Sequence, residues 1–219
     1  GLGPWRSAAC SAARARRLLE SAGDAAGLAR LFEQRLTAPI DPASAVALET
    51  ERAALCAHLG DHPEARRALA RAVVLAPERL DLLERLAGLR LEAGEYPEAA
   101  KLLVRLARTT QDTEILCRTL FALGTLYDEH LPDPRRAEIA FTRAATLAPD
   151  HLPSLERLAS VLRRTGERHK ALRVLMRIHE LSGNDPAAQE RCVMEVAQTL
   201  EDLGDVVDAE RALESHRRE

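Results

Sequence analysis

The chain has 219 residues, 46% hydrophobic and 30% charged, with 31 basic against 34 acidic side chains and a formal net charge of −3. That balance argues against a dedicated nucleic-acid binder, which needs a basic face to displace phosphate counterions, and no stretch approaches the roughly 18 consecutive apolar residues of a membrane span. Aromatic residues make up only 3%, so a core must be built from Ala, Leu and Val, which suits helices packed closely through small side chains.

From the N-terminus, residues 1–8 begin Gly1-Leu2-Gly3 without an initiator Met. They are expected to be a leader or a remnant, and the chain a piece of a longer one. The first helix carries Arg14, Arg16 and Arg17. No aromatic residue interleaves with them to stack on bases, so they read as a solvated helix face rather than an interaction patch. Gly23-Asp24 is a first, weak copy of a turn that recurs along the chain, with Leu28 five residues after the glycine.

The strong copies follow. Gly60-Asp61-His62-Pro63-Glu64-Ala65 returns as Gly94-Glu95-Tyr96-Pro97-Glu98-Ala99, and 94 − 60 is a step of 34. Gly166-Glu167 leads to Ala171 and Gly204-Asp205 to Ala209 in the same way. A fixed period in this range is the mark of stacked helix pairs. The step of 72 from Gly94 to Gly166 hides one more pair, in which Leu131-Pro132-Asp133-Pro134 replaces the glycine turn. Thr37 to Pro42 and Gly183 to Pro186 absorb extra residues between pairs, where loop-closure entropy grows slowly with length.

Each pair has a physical rationale. A first helix bears an apolar stripe such as Leu83, Leu86, Ala87 and Leu91, one face of a helical period. Gly94 then closes it, since glycine adopts the left-handed terminal conformation most easily. Pro97 opens the second helix, where its missing N–H is no loss, and Glu98 favours the positive end of the helix dipole. The second helices bury Ala99, Leu103 and Leu106, with counterparts Ala65, Leu69 and Ala72, then Ala137, Phe141 and Ala144, then Ala171, Leu175 and Ile178. Pro77 and Pro149 stop second helices. The fold class read from these patterns is all-α, with about six antiparallel helix pairs over 9–45, 46–79, 80–116, 117–151, 152–189 and 190–219, a single array over 9–219.

Catalytic signatures are missing: there is no G-x-x-x-x-G-K-[ST], G-x-G-x-x-G, H-E-x-x-H or G-x-S-x-G. His58 and His62 are four apart, but Gly60-Asp61 and Pro63 break the helix between them, so they read as a turn pair and not as metal ligands. Asp128-Glu129 and Glu201-Asp202 are adjacent and do not face one another as a catalytic dyad would. Cys10, Cys56, Cys117 and Cys192 are widely spaced with no C-x-x-C pair, which suits reduced thiols of a cytoplasmic protein better than a disulfide framework or a zinc site. Cys56 falls on a packing position. Only Lys101 and Lys170 are lysines, which reads as the codon bias of a GC-rich bacterial genome. No enzyme, cofactor or metal is expected.

Leu120, Leu123, Gly124 and Tyr127, followed by Ala137, Phe141, Ala144 and Pro149, resemble the tetratricopeptide repeat signature. The likeness runs over about residues 9 to 219. Departures fall at the ends and in the second pair: Arg35 and His216 stand at the position of Ala144, and Glu49 and Arg52 replace apolar residues. The resemblance implies a right-handed α-solenoid whose first helices line a concave groove. Mapped residue by residue, the groove positions are Thr50 in the second pair, with Ala54, Ala57 and His58 near it, then Glu84, Gly88 and Glu92 with Asp81 and Leu91. The fourth pair gives Arg118, Phe121, Thr125 and Asp128 with Glu129. The fifth gives Glu156, Ser160, Arg163 and Arg164, and the sixth Met194 and Gln198 with Arg191, Glu201 and Asp202. Family members that grip chaperone C-termini use Lys and Asn at positions held here by Thr50, Ala54, Glu84, Gly88, Phe121 and Thr125, so that activity is not carried over.

The expected function is a noncatalytic protein–protein interaction scaffold that presents this groove to a protein or peptide. The alternatives are a structural subunit or regulatory arm of a larger assembly, and an RNA-binding helical repeat. Glu84, Glu92, Asp128 and Glu129 make the groove acidic in the middle. They are either ordinary solvated charges or the complement of a partner with a basic segment. Phe121 is either an exposed anchor or packed on a neighbouring helix. The chain stops at Glu219 within a second helix, and solenoid ends need caps, so end-to-end contacts with further repeats or another subunit are expected there.

Overall fold

A computed structural model describes residues 14–183, 186–205 and 208–209. The proposed leader at 1–8, Cys10, His216 and the C-terminal end at Glu219 lie outside the described residues. Every regular element described is helical: α1 (14–22), α2 (Ala25–Leu36), α3 (Pro42–His58), α4 (His62–Leu75), α5 (Leu80–Glu92), α6 (Tyr96–Thr109), α7 (Thr113–Glu129), α8 (Pro134–Leu147), α9 (Leu152–Arg164), α10 (Arg168–Leu181) and α11 (Pro186–Asp202). None of these helices is long and apolar enough to cross a membrane. The expected all-α repeat architecture is the one observed.

The recurring Gly-acid step both ends one helix and starts the next. Gly60 has φ 79° and Gly94 φ 74°, the left-handed region that closes a helix without a side-chain penalty. The residue after each glycine donates its N–H five residues back, Asp61 to Cys56 O at 2.8 Å and Glu95 to Arg90 O at 2.9 Å. The carbonyl of that same residue then accepts the first bond of the next helix, from Ala65 N and Ala99 N, both at 3.0 Å. Asp61 adds its carboxylate, which accepts from Glu64 N at 3.1 Å as an N-cap should. Where the glycine is missing, Leu131 N reaches back to Leu126 O at 2.9 Å, and Asp133 caps α8 by accepting from Arg136 N at 3.0 Å.

Three first helices begin about a turn before the pair starts expected at 46, 117 and 190. Asp41 caps α3 at Ser44 N, 2.9 Å. Asp112 caps α7 at Glu114 N and Ile115 N, 2.8 and 3.1 Å. Pro186 opens α11. Capping chemistry sets these starts, and the apolar stripe appears only a turn later.

The chain divides into two compact units, 1–102 and 103–219, with the division inside α6. In the first unit α3 packs on α2 and α4, and α4 on α5. Leu69, Leu82, Leu83 and Leu86 fill the core, and Ala65, Ala68 and Ala72 have no exposed surface. These small residues let the helices approach closely. In the second unit α7 packs on α8, α8 on α9, α9 on α10 and α10 on α11. Leu155, Ala159, Leu175, Ile178 and Cys192 form one core cluster there.

Glu49 and Arg52, which break the apolar pattern in the second pair, are buried rather than displaced. Arg52 pairs with Glu33 at 3.2 Å, Glu64 at 3.0 Å and Glu49 at 3.9 Å. Arg71 holds Glu49 and Glu64. Five charged side chains from α2, α3 and α4 thus pair with one another where apolar packing was expected, although the buried Nε of Arg52 has no hydrogen-bond partner among the described residues.

Candidate functional site

All fourteen groove residues singled out in the sequence lie on first helices: α3 and α5 in the first unit, α7, α9 and α11 in the second. In the first unit the half-buried Thr50 donates its hydroxyl to Val46 O at 2.7 Å and so is engaged by its own helix. Glu84 is half-buried and Glu92 exposed. A Cβ placed on Gly88 would meet nothing within 4 Å, so this face of α5 is open.

In the second unit the groove positions divide between those already engaged within the chain and those left open. Asp128 has only 7% of its side chain exposed and pairs with Arg164 and with Arg157, the latter at 3.7 Å. Glu129 also pairs with Arg157. These two acidic residues, read as either ordinary solvated charges or the complement of a basic partner, are here met by cations of α9. Arg157 was not foreseen, yet it follows Glu129 by 28 positions and Arg164 follows Asp128 by 36, close to one repeat onward; that spacing was the available signal. Phe121 is half-buried, with its ring centroid 5.9 Å from Phe141 and 5.5 Å from His151, edge-on to the latter. It packs on neighbouring elements, the second of the two roles left open. Arg118 is exposed, and the buried hydroxyl of Thr125 has no hydrogen-bond partner among the described residues.

A cleft of about 400 Å³ opens among α9, α10 and α11. Glu156 and Ser160 on α9 face Arg191 and Glu195 on α11, over a floor that includes Leu175 and Ile178 of α10. Glu195 is held by Arg163 at 3.1 Å. Glu156 and Arg191 are exposed and have no charged partner among the described residues. Outside the lining, Met194 is 58% exposed, and Gln198 donates to Glu201 at 3.3 Å.

The polar side chains of this cleft are those of Glu156, Ser160, Ser182, Arg191, Cys192 and Glu195. Cys192 is the one thiol on its wall; burial first, and then the charge of Glu195, pushes it up to about 11. It therefore stays protonated near neutral pH, a poor nucleophile and a poor metal ligand. Among the described residues no group of three or more His, Cys, Asp or Glu side chains could hold a metal ion. His58 closes α3 and His62 opens α4, on separate helices as the turn reading expected.

Residues 57–123 match the tetratricopeptide repeat family. None of the curated proteins matches the sequence. Among solved structures, the MamA protein aligns over 80% of this chain and 91% of its own, with 17% identity and a TM-score of 0.61. YrrB, described as a TPR protein with an unusual peptide-binding site, aligns over 77% and 83%, with 16% identity and a TM-score of 0.58. A Podosopora anserina kinesin light chain with nearly identical TPR-like repeats aligns over 82% and 96%, with 18% identity and a TM-score of 0.53. At these identities the structural likeness speaks to the fold. With the family match, it shows an all-α repeat fold that carries tetratricopeptide repeats over residues 57–123.

Proposed function

We propose that this tetratricopeptide-repeat chain is a noncatalytic scaffold, and that it takes a segment of a protein partner into the first-helix face of its second unit. The observation that carries the reading is the cleft of about 400 Å³ among α9, α10 and α11, with Glu156 and Ser160 on its wall. The resemblance had assigned both residues to a groove. An apolar floor under a polar rim is the usual build of a peptide site. A basic group of the partner seats at Glu156, which has no cation among the described residues, and an acidic group at Arg191. Asp128 is already neutralised by Arg157 and Arg164 and is not a primary contact. Thr50, Glu84, Gly88 and Glu92 form the corresponding first-helix face of the first unit.

Ser160 is exposed on α9, so Ser160→Trp fills the cleft without disturbing the core. Affinity capture from the source cells, quantified by mass spectrometry, should recover at least one protein about tenfold less with Ser160→Trp than with the native chain. Glu156→Arg should deplete the same protein. If both variants recover every protein as well as the native chain does, this cleft is not the docking site.

A further inference from the structure

A second cleft, of about 410 Å³, lies on the other side of α10 and shares no lining residue with the first. Its floor is apolar: Leu155, Leu158 and Leu162 of α9, at i, i+3 and i+7, with Val174 of α10 beside them. Its α10 wall is basic. Lys170, Arg173 and Arg177 follow the same i, i+3, i+7 spacing, so the three cations stand in one row above the leucines. The α8 wall contributes Glu138 and Thr142.

Among the lining residues alone the charges are not balanced. Glu138 pairs with Lys170 at 3.1 Å, bridging the two walls, and Glu167 at the start of α10 reaches the same ammonium at 3.4 Å. Arg177 holds Glu180 of its own helix at 2.9 Å, but the two side chains are 44% and 62% exposed, and such a surface pair contributes little and exchanges readily. Arg173 is exposed and has no carboxylate partner among the described residues. Within the lining, three cations face one carboxylate across an apolar floor, and Arg173 is the cation left without a carboxylate among the described residues. Beyond the lining positions, α8 adds the exposed Arg135 and Arg143, which also lack partners among the described residues. One helical step further round, Ile139 is 60% exposed on α8 and Met176 56% exposed on α10.

From this geometry we infer that the face formed by α8, α9 and α10 is a docking site for an acidic amphipathic helix of a protein partner, distinct from the first-helix cleft. Leu162 lies seven positions beyond Leu155, about 10.5 Å or two helical turns. The matching segment therefore presents apolar side chains at i, i+3 or i+4, and i+7. Carboxylates flanking that stripe meet Arg173 and Arg177, the first unpaired and the second only weakly held. The apolar stripe supplies affinity and the charge row fixes orientation and selects against basic helices.

The test uses the native chain and a fluorescein-labelled, hydrocarbon-stapled peptide of about 16 residues, long enough to hold a helix. It carries Leu at i, i+3, i+7 and i+10 with Glu on both flanks. One control peptide replaces every Glu with Lys and another every Leu with Ala. By fluorescence anisotropy the acidic Leu peptide should bind at least about tenfold more tightly than either control. The double variant Arg173→Glu with Arg177→Glu should weaken it at least as much and gain affinity for the Lys peptide. Thr142→Trp, which blocks the cleft without changing charge at an exposed site, should also weaken it and decides the matter if the double variant fails to fold. Ser160→Trp should leave it unchanged, which separates this site from the first-helix cleft. Equal binding of the Ala control would mark a general polyanion surface and overturn the proposal. So would binding undiminished by Thr142→Trp, or a self-association of the native chain that Thr142→Trp abolishes, since the face would then belong to a second copy.

Discussion

Two glycines, one on a first helix of each unit, show how differently the same residue type is used. A Cβ added to Gly124 would stand 2.5 Å from the ring of Phe141, which has no exposed surface and no room to retreat. Gly88 has open space instead. Gly124→Ala should therefore overpack the α7–α8 crossing and lower stability by about 1–3 kcal/mol. Gly88→Ala should raise it by about 0.5–1 kcal/mol, because alanine restricts the unfolded chain and suits a helix interior. Thermal melts of both variants decide this, and equal midpoints would contradict the packing described. The sequence made the Gly124–Phe141 pairing legible through the repeat signature that contains both. It did not reveal the neutralisation of Asp128, because Arg157 and Arg164 lie a repeat further on and meet it only once α7 and α9 stand side by side.

At the scale of elements, the ionic cluster that joins α2, α3 and α4 is the clearest departure from apolar repeat packing. Glu49 has 5% and Arg52 8% of the side chain exposed. Removing one member of a buried pair leaves its partner without compensation, whereas replacing both with apolar groups is often neutral. Glu49→Met should therefore cost about 3 kcal/mol, and adding Arg52→Leu should recover part of the loss, a coupling that a double-mutant cycle reads directly. Acid should act on the same cluster. Burial tends to raise the Glu64 carboxyl, but hydrogen bonds from Arg71 and Arg67 and the charge of Arg52 outweigh it and hold the group below its ordinary value of 4.5. A depressed carboxyl adds stability that is fully present above the ordinary value and is lost as pH falls from there through the lower value of the folded state. The native chain should lose more stability between pH 5 and pH 3 than Glu64→Gln does, followed by urea unfolding at each pH. This cluster was hidden in the sequence because its members come from three helices, and position by position Glu49 and Arg52 read only as faults in the repeat. The Gly-acid turns were fully legible because all their bonds close within about ten residues.

For the molecule as a whole, the chemistry of the three described thiols should be silent. Cys56, Cys117 and Cys192 are free, and burial raises all three thiols above their usual range. A reductant should leave the thermal midpoint unchanged, and alkylation of these three at pH 8 should be slow in the folded chain and fast in urea, as mass spectrometry of the tryptic peptides would report. Rapid alkylation of Cys192 in the native state would contradict its burial. The Gly-acid turn has a consequence of a different kind, in time rather than in space. Its hydrogen bonds join residues four and five apart, and the helices it connects touch within one repeat, so the architecture is dominated by local contacts. Chains of that kind fold quickly, and synthesis delivers about 5–20 residues each second. A 34-residue pair thus leaves the ribosome over a few seconds, ample time for each hairpin to close on its own turn before the next has been made.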